Sequence, residues 1–77
     1  MNGTELNAMR QIGRKVAEKR EVLNFTQAQL AEKCNLQPSQ IKAVENGDRN
    51  YTIATLLNIM EVLGINNILN LKFYEYE

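Results

Sequence analysis

Apolar positions recur every three to four residues along most of the chain, and short polar stretches divide them into four runs. Leu6, Met9, Ile12-Gly13, Val16, Arg20 and Leu23 predict an amphipathic first helix over residues 5–23. Arg14, Lys15 and Lys19 are left for its solvated face. Leu30, Ala31 and Cys34 carry a second helix over 27–34, and Ile41 and Val44 a third over 38–45. Ile53, Leu56, Ile59, Met60 and Leu63 form the buried face of a fourth, capped by Thr52 and stopped by Gly64. The expected shared core is Ile12, Val16, Phe25, Leu30, Ala31, Leu36, Ile41, Val44, Leu56, Ile59, Met60, Leu63 and Ile65.

The punctuation between the second and third runs decides the architecture. Thr26 is an N-cap whose hydroxyl takes up a free backbone N–H. Asn35 suits the left-handed conformation that ends a helix. Gln37-Pro38 restarts the chain, with Pro38 at the first helical position, where its missing N–H costs nothing. Asn46-Gly47 stops the third helix. Two helices joined across so short a turn cross steeply, as in a helix-turn-helix over residues 26–46. That geometry lets the second of them project into a DNA major groove.

Composition narrows the possibilities. Seventy-seven residues make one domain, 1–77, close to the lower size at which a core stabilises itself, so pairing with a second copy is expected from size alone. With 44% apolar residues and no low-complexity stretch, the chain reads as globular. No apolar run approaches the ~18 residues of a membrane span, and the N-terminal Met-Asn-Gly-Thr-Glu lacks the form of a secretion signal. A cytoplasmic protein is expected. Cys34, the single cysteine, reads as a small core residue. There is no histidine, no phosphate-cradling glycine loop and no metal-ligand spacing, so neither an enzyme nor a metal or cofactor site is expected.

Net charge is zero, but its distribution is uneven. Residues 10–49 hold eight basic and five acidic side chains, whereas residues 50–77 hold one basic and three acidic. The basic excess falls on the segment that would face DNA. The field is modest, so shape and specific contacts are expected to outweigh bulk charge.

Ile12-Gly13, Val16, Arg20, Phe25-Thr26-Gln27, Leu30-Ala31, Leu36, Ile41, Val44-Glu45, Gly47, Thr55-Leu56, Ile59 and Leu63-Gly64-Ile65 also fall in a familiar order. Residues 12–65 resemble the helix-turn-helix domain of phage lambda-type repressor and Cro proteins, the XRE-like bacterial regulators. Asn24 and Asn35 stand where that family often has glycine, and Tyr51 where proline is common. The resemblance implies an all-α fold: a compact four- to five-helix, lambda repressor-like DNA-binding domain. It places base reading on Gln37, Pro38, Ser39, Lys42 and Ala43 of the third helix. Gln pairs with adenine and Lys with the acceptor edge of guanine, while Pro and Ala offer only apolar contact. Phosphate contacts are carried over to Thr26, Gln27, Gln40, Asn46, Arg49 and Asn50, which would position the protein without reading sequence. Arg20 and Glu45 are implied to form a partly buried salt bridge that fixes the angle of the reading helix.

The tail, residues 66–77, departs from a helical pattern. Leu69, Leu71 and Phe73 alternate with Asn70, Lys72 and Tyr74, a two-residue period that predicts a short β-strand; a fifth helix is the alternative. A lone strand edge would seek its equivalent in a second copy, which makes Leu69, Leu71 and Phe73 the expected dimerisation residues. The expected function is transcription regulation, most simply repression, with double-stranded DNA and a second copy of the chain as partners. A restriction-modification controller, an antitoxin with a toxin partner, and a protein-interaction module that has lost DNA affinity remain the alternatives.

Overall fold

The computed structural model describes residues 3–48 and 50–66, in which four helices and no strand are present: α1 (Gly3–Val22), α2 (Gln27–Cys34), α3 (Pro38–Glu45) and α4 (Ile53–Leu63). Helix α1 begins two residues before the expected start at 5, because Gly3 and Thr4 extend it without adding to the apolar stripe, and it ends at Val22, one residue short of the expected 23. The other three match the expected spans. Arg49 and the expected strand, with Leu69, Leu71 and Phe73, lie outside the described residues.

One backbone device ends every helix. After α1 and α2 the left-handed residue is an asparagine, Asn24 (φ 63°) and Asn35 (φ 58°); after α3 and α4 it is Gly47 (φ 75°) and Gly64 (φ 73°). In each case its N–H and that of the next residue return to carbonyls of the last turn. Examples are Leu36 N–H to Ala31 O at 2.8 Å and Asp48 N–H to Ala43 O at 2.9 Å. This double closure satisfies carbonyls that a helix end would otherwise leave unpaired. It also aims the following side chain, and Phe25, Leu36 and Ile65 accordingly pack against the core.

Helices α1 and α2 both pack on α3 and α4. The core comprises Ile12, Val16, Leu30, Ala31, Cys34, Ile41, Val44, Leu56, Ile59, Met60 and Leu63, all of them buried. Removing each large side chain from water contributes roughly 1.5–3 kcal/mol before conformational entropy is subtracted. Phe25, Leu36 and Ile65 are half-buried at its edge, and Tyr51 joins them, its hydroxyl 3.8 Å from the sulfur of Met9. A tyrosine in place of proline therefore links the α3–α4 connection to α1. Burial pushes the pKa values of both Tyr51 and Cys34 up, so each stays protonated at neutral pH.

Two close contacts set the helix angles. Gly13 is buried where α1 meets the end of α3, and a Cβ there would stand 2.5 Å from Val44 O and 2.6 Å from Glu45 O. Only glycine permits that approach. From α4, Asn58 donates a 2.8 Å hydrogen bond to Cys34 O and so caps the end of α2 across the domain.

Candidate nucleic-acid interface

The sequence Thr-Gln-Ala-Gln starts α2 with a reciprocal cap. The Thr26 hydroxyl oxygen accepts the Gln29 N–H at 3.0 Å, and Gln29 Oε1 accepts the Thr26 N–H at 2.8 Å. Thr26 keeps its hydroxyl proton for an outside acceptor. First-turn N–H groups lack intrahelical partners, so this end of α2 favours an anion.

Helix α3 begins differently. Gln40 Oε1 accepts the Gln37 N–H at 2.8 Å, while the Gln37 side chain makes no cap bond. Gln37, Pro38, Ser39 and Lys42 are exposed and Ala43 is half-buried; Pro38, Ser39, Lys42 and Ala43 turn away from buried Ile41 and Val44, while Gln37 is the N-cap before the helix. Four of the five positions expected to read bases thus share a face, and Gln37 stands apart from them at the helix start. Gln40, expected at phosphate, has its amide oxygen committed to the cap and only its N–H donors to offer.

The two helix starts and the end of α3 enclose one shallow groove of about 470 Å³. Its lining combines Gln27 and Ala28 of α2, Pro38, Ser39, Lys42 and Ala43 of α3, and Asn46 and Asp48 beyond it. Six of these were singled out by sequence. Ala28 and Asp48 were not: an alanine carries no chemical signature, and an acid runs against the charge expected there. Thr26, Gln37, Gln40 and exposed Asn50 are not part of the lining. The Asn50 N–H is held at 2.9 Å by the Asp48 carboxylate.

Beneath the groove lies the ion pair. Arg20 reaches Glu45 with Nε at 2.6 Å from Oε2 and Nη2 at 3.2 Å from Oε1. Its third nitrogen, Nη1, donates to Phe25 O at 2.7 Å and so fixes the α1–α2 connection as well. The side chains are 13% and 7% exposed, so the bridge is largely shielded from water. Hydrogen bonding to Glu45 raises the Arg20 pKa above its already high value, keeping the guanidinium charged. Glu45 accepts a further bond, from Gln27 Nε2 at 2.9 Å. Sequence reasoning missed this third donor, because residues 18 apart on two helices share no period. The bond fixes the Gln27 amide so that its nitrogen keeps one N–H, the group a phosphate oxygen requires.

Comparison with known proteins agrees with this geometry. The helix-turn-helix family model matches residues 16–66. Over 54 residues the chain is 37% identical to the HTH-type transcriptional regulator RamB of Mycobacterium tuberculosis, in strains CDC 1551 / Oshkosh and ATCC 25618 / H37Rv alike. The match covers 70% of this chain and 11% of each relative, so the chain corresponds to a small part of those proteins. With four helices among the described residues, a tight turn between α2 and α3, and an outward face on α3, the chain belongs to the helix-turn-helix family of the lambda repressor and Cro type.

Proposed function

We propose that the chain is a sequence-specific DNA-binding transcriptional regulator that places α3 in the major groove and represses by occupying a promoter. The observation that carries this reading is the single groove that unites Pro38, Ser39, Lys42 and Ala43 with Gln27 and Asn46. Base-reading and phosphate-holding side chains are thereby set side by side on a rigid base. The relatives named as transcriptional regulators support it. The protein acts as a cytoplasmic homodimer on a near-palindromic operator, with reading helices about 34–36 Å apart. It needs no cofactor and performs no catalytic step.

A second reading, an interaction module whose partner is a protein such as a toxin, draws on the opposite charges of Lys42 and Asp48 in the groove. Selection from a pool of random duplexes, followed by salt titration, separates the two. A regulator enriches a two-fold symmetric site, and the logarithm of its affinity falls linearly with log salt as counterions reassociate with the duplex. Failure to enrich any sequence rejects the DNA reading.

A further inference from the structure

We infer that Asp48 is an electrostatic brake on DNA binding, a carboxylate held in the DNA-facing groove that lowers affinity for every duplex and leaves occupancy to depend on base matching. The inference rests on the DNA-binding reading above.

Among the described residues lining the groove, the charged side chains are Lys42 and Asp48, and they cancel. The Arg20–Glu45 pair beneath is neutral as a unit and adds nothing. A surface built to hold phosphates normally carries positive charge; among the described residues lining this groove, one acid offsets the one cation.

The place Asp48 occupies strengthens the point. At three helix ends the residue after the left-handed turn is apolar and packs on the core: Phe25, Leu36 and Ile65. After α3 the equivalent residue is Asp48, exposed. The charge gains nothing from the helix, since the C-terminal end of α3 carries negative partial charge and disfavours an acid. The bond that Asp48 Oδ1 accepts from the Asn50 N–H at 2.9 Å needs only an oxygen, which asparagine supplies equally. Among the described residues, Asp48 is used through its side-chain oxygen and forms no salt bridge. A carboxylate has no proton to donate to a phosphate, and facing a duplex it offsets one of the cations that would displace counterions.

The test uses the full chain and its D48N variant, which keeps the turn. Each is titrated by fluorescence anisotropy against a pool of random-sequence duplexes at several salt concentrations. The control is E18Q, which changes net charge equally at an exposed site outside the groove. The expected result for D48N is binding about three- to tenfold tighter at low salt on all sequences. The slope of log affinity against log salt should steepen by up to about 0.9, and E18Q should gain less than about twofold. A D48N gain no larger than that of E18Q overturns the brake. So does a loss of affinity confined to duplexes with a particular cytosine, which would make Asp48 a base reader. If wild type and variants, folded by circular dichroism, bind no duplex at any salt, the DNA-binding reading falls and the brake with it.

Discussion

Arg20 and Glu45 meet side-on, Nε to Oε2 at 2.6 Å and Nη2 to Oε1 at 3.2 Å, and tie the last turn of α1 to the last residue of α3. The forked geometry fixes direction as well as distance. Because Gln27 Nε2 also donates to Glu45, the carboxylate is the junction of α1, α2 and α3.

Glu45→Ala should therefore cost more than an ordinary surface change. It strips Arg20 and Gln27 of their shared acceptor and leaves a largely buried cation, a loss of about 3 kcal/mol. Urea denaturation measures it. The double change Arg20→Met with Glu45→Leu should recover part of the loss, since it leaves no charge uncompensated. A Glu45→Ala variant as stable as wild type would mean that water replaces the carboxylate at no cost.

Gly13→Ala should destabilise by a different route. The added methyl meets the carbonyl oxygens of Val44 and Glu45 at 2.5 and 2.6 Å, and these are backbone atoms that cannot rotate away. Separating α1 from α3 costs about 1–3 kcal/mol, in the range of overpacked cores. The Arg20–Glu45 geometry should loosen with it, so thermal melting and DNA affinity should fall together. Unchanged melting would show that α1 shifts freely.

At the left-handed position Asn35, alanine and glycine should part company. Asn35→Ala places a Cβ-bearing residue with no local polar compensation at φ 58°, a cost of about 1 kcal/mol. Asn35→Gly removes that strain and should be neutral or slightly stabilising. Parallel denaturation curves check the order; equal losses for both would mean that the asparagine side chain matters more than the backbone angle.

On DNA, Lys42→Ala and Gln37→Ala should each relax preference at one operator position, by about 1–3 kcal/mol where a two-atom base contact is lost. Gln27→Ala should instead weaken binding alike on all sequences. It should also cost some stability, through the hydrogen bond to Glu45. Comparing the sites selected by each variant from random duplexes decides it, and unaltered preference in the α3 variants would move the reading surface elsewhere.

How much of this was legible in the sequence follows from the range of each interaction. Helix ends are local: Thr26, Pro38 and Thr52 at the starts and Asn35, Gly47 and Gly64 at the ends mark them within a residue or two. The core follows from period, so Ile41 and Val44 point inward where Lys42 points out. Arg20–Glu45 could be named only because a family resemblance supplied the pairing. The Gln27–Glu45 bond, the Asn58 cap on α2 and the Tyr51–Met9 contact join residues 18 to 42 apart, and no local rule pairs them. Asp48 was missed because the sequence reveals its charge but not that the α3 exit turns it into the groove.

The turn between α2 and α3 has no slack. Asn35 and Leu36 return their N–H groups to the last turn of α2, Leu36 is seated on the core, and the Gln37 N–H is held by the Gln40 side chain. The three backbone N–H groups of this turn are already bonded, so on the proposed function the two helices would meet a duplex in a preformed arrangement. Induced fit then falls to the nucleic acid, and operator sequences that bend or narrow easily should be favoured even at base pairs that α3 never touches.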